Sequence, residues 1–151
     1  MPEVSFYILP SLSLQERYLF ACKLIEKAYR SGHFCYVLTD SDEQSEIMDN
    51  LLWTFRAGSF IPHQVYAGER PDLDNVILIG SRQAPESWQR TVINLSSQCP
   101  RELDRIERLL EILDNSETTK AAGRQRYRQY QQRGLAISTH KIEHENSRHK
   151  V

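Results

Sequence analysis

The sequence predicts an α/β fold, a three-layer arrangement in which a mostly parallel central sheet is flanked by helices. Three observations carry this expectation. Short β-branched and aromatic runs alternate with longer stretches of helical periodicity, and the connections between them are short. The first two helical stretches open on capping sequences. Several strand runs are apolar almost without interruption, the pattern of strands buried on both faces of a parallel sheet.

The first strand is the run 4–9, Val-Ser-Phe-Tyr-Ile-Leu, closed by Pro10. Ser13 and Glu16 then have capping-box spacing, and Tyr18, Ala21, Cys22, Ile25 and Ala28 follow at helical spacing until Gly32 supplies a stop. The second strand is the apolar run 34–39. Ser41 and Gln44 repeat the capping spacing, and Ile47, Leu51 and Leu52 mark the inner face of a second helix. Residues 60–66 read as a short strand that Pro62 restricts to a sheet edge. Residues 76–79 and 91–95 are two more buried strands, separated by the polar loop 81–90 with Trp88. After Pro100 the spacing predicts a helix over 101–114, with Leu103, Ile106, Leu109, Leu110 and Leu113 inward. A last helix covers 118–132 and ends before Gly134. Residues 1–135 are thus expected to form a single α/β domain, and the polar C-terminal tail 136–151 is expected to be flexible.

A chain of 151 residues, 40% hydrophobic and 26% charged, has the composition of an ordinary soluble domain. No apolar run approaches the roughly 20 residues of a membrane span. The start of the chain has no basic segment before its strand pattern, so a signal peptide is not expected. Cys22, Cys35 and Cys99 form no CxxC pair, which argues against a zinc site or a disulfide framework and fits a reducing cytoplasm. The net charge of −1 conceals an asymmetry. Residues 1–119 carry 11 Lys/Arg against 18 Asp/Glu, whereas residues 120–151 carry 8 against 2. A basic end on an acidic body points to an anionic partner there, either nucleic acid or an acidic peptide.

Catalytic chemistry finds little support. There is no G-x-G-x-x-G and no G-x-x-x-x-G-K-[ST], so no loop lets a backbone approach a pyrophosphate, and Gly80-Ser81-Arg82 is a weak substitute. No G-x-S-x-G elbow is present. Asp40, Asp42 and Glu43 follow the second strand, where α/β proteins place active sites, but helix capping accounts for them. His140 and His144 have i, i+4 spacing, yet they sit in a polar tail with nothing to orient them as metal ligands. The expectation is a protein that is not an enzyme, with no catalytic residues, cofactor or metal.

Two stretches stand out. The run 51–63 combines Trp53, Phe55 and Phe60 with a Gly-Ser break and the Ile61-Pro62 step. Such an apolar loop either folds back onto the core, the default for large aromatics, or serves a partner. In the last helix Arg124, Tyr127 and Arg128 share one face at i, i+3 and i+4. Two guanidiniums flanking a phenol suit a carboxylate beside an apolar side chain, and equally the phosphate and stacked base of a single strand. A merely solvated basic face remains the third reading. The sequence places Tyr130 and Arg126 on other sides of this helix.

Taken together, these pieces resemble a known family, the chi subunit of bacterial DNA polymerase III holoenzyme. The resemblance is carried by Phe6-Tyr7-Ile8-Leu9, by Leu52-Trp53 with Ser59-Phe60-Ile61-Pro62-His63, and by residues 124–130, Arg-Gln-Arg-Tyr-Arg-Gln-Tyr, with Gly134. It implies a nucleotide-binding-like fold without a phosphate loop and a cytoplasmic, non-catalytic accessory subunit of the clamp-loader assembly. It implies that Arg124, Tyr127 and Arg128 bind the acidic C-terminal tail of single-stranded-DNA-binding protein. It further implies that Trp53, Phe60 and Pro62 bind the psi subunit of the clamp loader, or a helicase at the same surface, which turns the aromatic loop from core into docking surface. Nucleic acid is then engaged only indirectly, and no membrane is involved. The sequence departs from the family's pattern at Arg128, often lysine, and at Thr54-Phe55-Arg56, where some relatives have a proline. The alternative is a single-stranded nucleic-acid-binding protein that uses the basic helix directly.

Overall fold

The computed structural model describes residues 2–143. Among these described residues, seven strands form one sheet in the order β3-β4-β2-β5-β6-β1-β7, and every neighbouring pair is parallel. They are β1 (Glu3–Ile8), β2 (Tyr36–Leu38), β3 (His63–Val65), β4 (Ile77–Gly80), β5 (Thr91–Asn94), β6 (Arg108–Leu113) and β7 (Ala136–Lys141). Three helices complete the layers: α1 (Leu14–Arg30), α2 (Asp42–Thr54) and α3 (Glu117–Gln132). The expected three-layer α/β class is therefore observed, with a sheet that is wholly rather than mostly parallel.

Pleating divides the sheet between two cores, because alternate side chains of a strand leave on opposite faces. Val37, Ile77, Ile79, Ile93, Leu110 and Ile112 pack with Ala21, Cys22 and Ile25 of α1 and Met48 and Leu52 of α2. On the other face Val4, Phe6, Val92, Leu109 and Leu113 pack with Tyr130 of α3. A smaller cluster on Trp88 covers Tyr36 and Leu78, and its indole N–H donates to the Val76 carbonyl at 2.7 Å. The polar loop 81–90 is thus a cover for the central strands where no long helix lies.

The serine caps form where the spacing places them, but neither expected box closes, and the Ser13 N–H donates to Ser11 Oγ at 2.9 Å rather than to Glu16. Ser13 Oγ accepts from Glu16 N at 3.2 Å, and Ser41 Oγ accepts from Gln44 N at 3.1 Å. The Gln44 side chain reaches back to the Asp40 N–H at 2.7 Å, one residue before the cap. Ile47, expected inward, is exposed, and Met48 takes the inner position instead.

Two expectations are overturned. The helix predicted over 101–114 does not form. Glu102 adopts a left-handed conformation, Leu103–Arg105 make one 3-10 turn, and Arg108–Leu113 is strand β6, paired with β1 on one side and β5 on the other. The five apolar residues assigned to that helix are all buried, but Leu109 and Leu110 point to opposite faces. The expected flexible tail 136–151 is also wrong at its start. Residues Ala136–Lys141 form edge strand β7, in register with the whole of β1 from Glu3↔Ala136 to Ile8↔Lys141. A polar strand is tolerated there because an edge buries little side-chain area while its backbone completes β1's hydrogen bonding. His144 lies outside the described residues, and His140 stacks on Tyr7 at 5.0 Å.

Candidate functional site

Helix α3 is set on the sheet by a buried charge. Glu111 on β6 has no exposed surface, and Arg126, 2% exposed, aims at it from the helix. Arg126 Nε lies 3.1 Å from both carboxylate oxygens, and Nη2 is 3.0 Å from Oε1. Tyr130 Oη donates to Oε2 at 2.5 Å and Asn94 Nδ2 donates to the same oxygen at 3.1 Å. Burial above all, then the adjacent carboxylate, raises the Tyr130 phenol above its ordinary pKa and keeps the proton that it donates. Close helix–sheet approach is made possible by Gly123, whose missing Cβ would lie 2.5 Å from Leu113 Cδ1.

With Gly123, Arg126 and Tyr130 inward, the helix can present only one set of residues sideways and outward. Tyr127 is half-buried, its ring 5.4 Å from that of Phe6, and Arg124 and Arg128 are exposed on either side of it in sequence. Among the described residues neither guanidinium makes an ion pair or a side-chain hydrogen bond. Structure thus brings the three sequence-predicted residues onto one side of α3, with the ring packed on Phe6 and the charges unspent. The Glu111–Arg126–Tyr130–Asn94 network is missed by the sequence reading, which places Glu111 in a helix over 101–114. The signal was a glutamate inside a strand-length apolar run, matched by Arg126 and Tyr130 at i, i+4.

The aromatic loop is pinned from both ends. His63 is buried, with Nδ1 2.7 Å from the Ile61 carbonyl and Nε2 3.0 Å from the Asp49 carbonyl, and its ring packs 4.2 Å from Trp53. Ser59 Oγ donates to the buried Glu26 carboxylate at 2.7 Å, and Arg56 Nη1 lies 3.4 Å from the same group. Gly58 supplies the left-handed turn between them at φ +79°. Phe55 and Ile61 pack on the core, while Trp53 stays 56% exposed, Phe60 83% exposed and Pro62 half-buried. The default of burial thus holds for Phe55 and fails for Trp53 and Phe60: the anchors hold the loop, and these two aromatic side chains face outward.

The C-terminal ends of β2, β4 and β5 frame a cavity of about 390 Å³ lined by Asp40, Arg82, Gln98 and Arg101 among others. Its position is where open α/β sheets bind ligands. Asp40 is already engaged, accepting from Ser97 N at 2.9 Å and Ser97 Oγ at 3.0 Å. Among the described residues no cluster of His, Cys, Asp or Glu could hold a metal ion, and no helix is long and apolar enough to cross a membrane.

Fold and surfaces together define a class: an open, all-parallel α/β sheet that carries an apolar loop at one edge and a basic helix near the other, without a glycine-rich phosphate loop. Residues 1–138 match the family model described as "DNA polymerase III chi subunit, HolC". The chain is 29% identical over 142 residues to the DNA polymerase III subunit chi of Pseudomonas aeruginosa, covering 94% of this chain and 98% of that one. It is 25% identical over 146 residues to the subunit of the same name from Escherichia coli K12, covering 92% and 97%. The fold is also similar to that in the crystal structure of T4 UvsW, with a TM-score of 0.68 at 12% identity over 93% of this chain and 41% of that one. The chain belongs to the family of DNA polymerase III chi subunits.

Proposed function

We propose that the chain is a non-catalytic, cytoplasmic accessory subunit of the replicative polymerase that works by two peptide-binding surfaces and requires no cofactor. One surface, Arg124, Tyr127 and Arg128, takes the acidic C-terminal tail of single-stranded-DNA-binding protein. The other, Trp53, Phe60 and Pro62, takes the psi subunit of the clamp loader or a helicase in its place. The observation that carries the first assignment is the pair of unspent guanidiniums around a half-buried ring packed on Phe6. Arginine forks match a terminal carboxylate, and the Tyr127 face offers an apolar wall for the last side chain. Exposure of Trp53 and Phe60 on a pinned loop supports the second, because rigid exposed aromatics are the usual anchors of protein interfaces. The mechanism is tethering, which raises the local concentration of the clamp loader on coated single strands.

Calorimetric titration with a short acidic peptide ending in Asp-Ile-Pro-Phe tests the reading, with an oligonucleotide beside it. Binding of the peptide is expected, lost when its terminal Phe is removed and weakened by Arg128→Ala by roughly 1–3 kcal/mol, the range for a lost charge-assisted contact. Oligonucleotide binding without peptide binding overturns it in favour of direct single-strand recognition.

A further inference from the structure

Residues 1–119 carry a surplus of seven negative charges, yet one spot of that body is basic. Lys23, Lys27 and Arg30 follow one another along the C-terminal half of α1, and Arg56 joins them from the end of α2. With Glu26 and Ser31 they line one concavity of about 340 Å³. Glu26 is the single carboxylate there. It is nearly buried, accepts from Ser59 Oγ, and lies 3.4 Å from both Arg30 and Arg56. Among the described residues Lys23 and Lys27 make no ion pair.

A helix C-terminus favours cations in its last turn, which accounts for Lys27 and Arg30. The same preference accounts for Arg56, just past the C-cap of α2, but not for Lys23, which lies further back. Four cations around one carboxylate leave a surplus of about three positive charges, held at the foot of the aromatic loop. Ser59, the residue that hydrogen-bonds Glu26, directly precedes the exposed Phe60. Through Ser59 the basic concavity is tied to the residue next to Phe60.

We propose that this concavity receives an acidic segment of the same protein partner whose apolar residues seat on Trp53 and Phe60. This rests on the reading of those two residues as a docking surface. The occupant is a protein segment rather than a nucleic acid because the patch is small, adjoins two exposed aromatics and is set in an acidic body. A short acidic segment beside an apolar anchor fits inside that boundary, whereas an extended phosphodiester chain would run onto like charge within a Debye length of roughly 8 Å. Complementary charge of this kind raises the association rate more than it slows dissociation.

The test measures binding of purified psi subunit to the full chain at low and high salt. Wild type is compared with the double variant Lys23→Glu/Lys27→Glu and with Trp53→Ala. Both lysines are exposed, and an unchanged thermal midpoint confirms an intact fold. The charge reversal is expected to weaken binding tenfold or more at low salt, mainly through a slower association rate, with the difference shrinking at high salt. Trp53→Ala is expected to weaken binding at both salt concentrations. Loss of binding in Trp53→Ala with none in the charge reversal overturns the acidic-segment assignment and leaves the docking surface standing. If neither variant changes binding, the docking surface itself fails. If wild type, but not the charge reversal, binds oligothymidylate, the occupant is nucleic acid and the proposal is wrong.

Discussion

Glu111 is the side chain on which the basic helix depends. It lies in the middle of β6, opposite Phe6 of β1 and Asn94 of β5, with no exposed surface. A buried carboxylate is tolerated only when it is paired and hydrogen-bonded, and three side chains, Asn94, Arg126 and Tyr130, converge on this one. Removing one partner leaves the other charge stranded. Glu111→Ala or Arg126→Ala should therefore destabilise the fold by about 3–5 kcal/mol, whereas Glu111→Leu combined with Arg126→Met should lose far less. Urea unfolding of the two single variants and the double variant checks this, and additive losses would sink the paired-charge account. At residue 111 alone the pairing was not legible, since a glutamate between Leu110 and Ile112 fits the exposed side of a helix as well as a buried pair. What distinguishes them is Arg126, fifteen positions away, and only the fold brings it there.

At the scale of elements, α3 and β6 are joined by a contact that admits no side chain. A methyl group at Gly123 would fall 2.5 Å from one Leu113 methyl and 3.0 Å from the other. Alanine gains about 1 kcal/mol of helix propensity over glycine. Overpacking a filled site costs roughly 1–3 kcal/mol. The second effect is expected to win, so Gly123→Ala should lower the urea midpoint, and adding Leu113→Val should recover part of the loss. A midpoint that rises in Gly123→Ala would mean that the helix can simply lift away. The same scale explains the two misread elements. Leucine, glutamate and arginine are good helix formers, and the apolar residues of 101–114 match helical spacing. Burial on both sides of the sheet outweighed that local preference, as tertiary context commonly does. Strand β7 failed to signal itself because Ser138, Thr139, His140 and Lys141 have no apolar face to reveal. Its order comes from the unsatisfied backbone of β1 beside it.

At the scale of the whole molecule, strand order separates the two candidate surfaces. The aromatic loop runs into β3 at one edge of the sheet, and α3 packs against β6 and leads into β7 at the other edge. With neighbouring strands about 4.8 Å apart, six intervals place the edges roughly 29 Å from each other. The helices differ in face as well, α1 and α2 on one side and α3 on the other. On the proposed reading, two partners are therefore expected to bind independently of each other. Tail-peptide affinity of the complex with the second partner is expected to equal that of the free chain within about 0.5 kcal/mol, the scatter for independent sites. Titration of the preformed complex measures it, and a tenfold change would reveal coupling across the sheet.

Local chemistry was decided by the sequence alone. Ser13 and Ser41 cap α1 and α2 where their spacing required, the apolar runs became inner strands, and Arg124, Tyr127 and Arg128 share a face because the helical repeat demands it. These depend on neighbours within a few residues, so the chain carries them in plain view. Tertiary structure alone decided which way α3 turns, which aromatics of the 51–63 loop face outward, and that residues 108–113 and 136–141 are strands. Each of those outcomes rests on a partner distant in sequence: Arg126 for Glu111, Glu26 for Ser59, β1 for both strands. Burial and pairing of that kind leave no periodic mark, because the energy belongs to the contact and not to either residue.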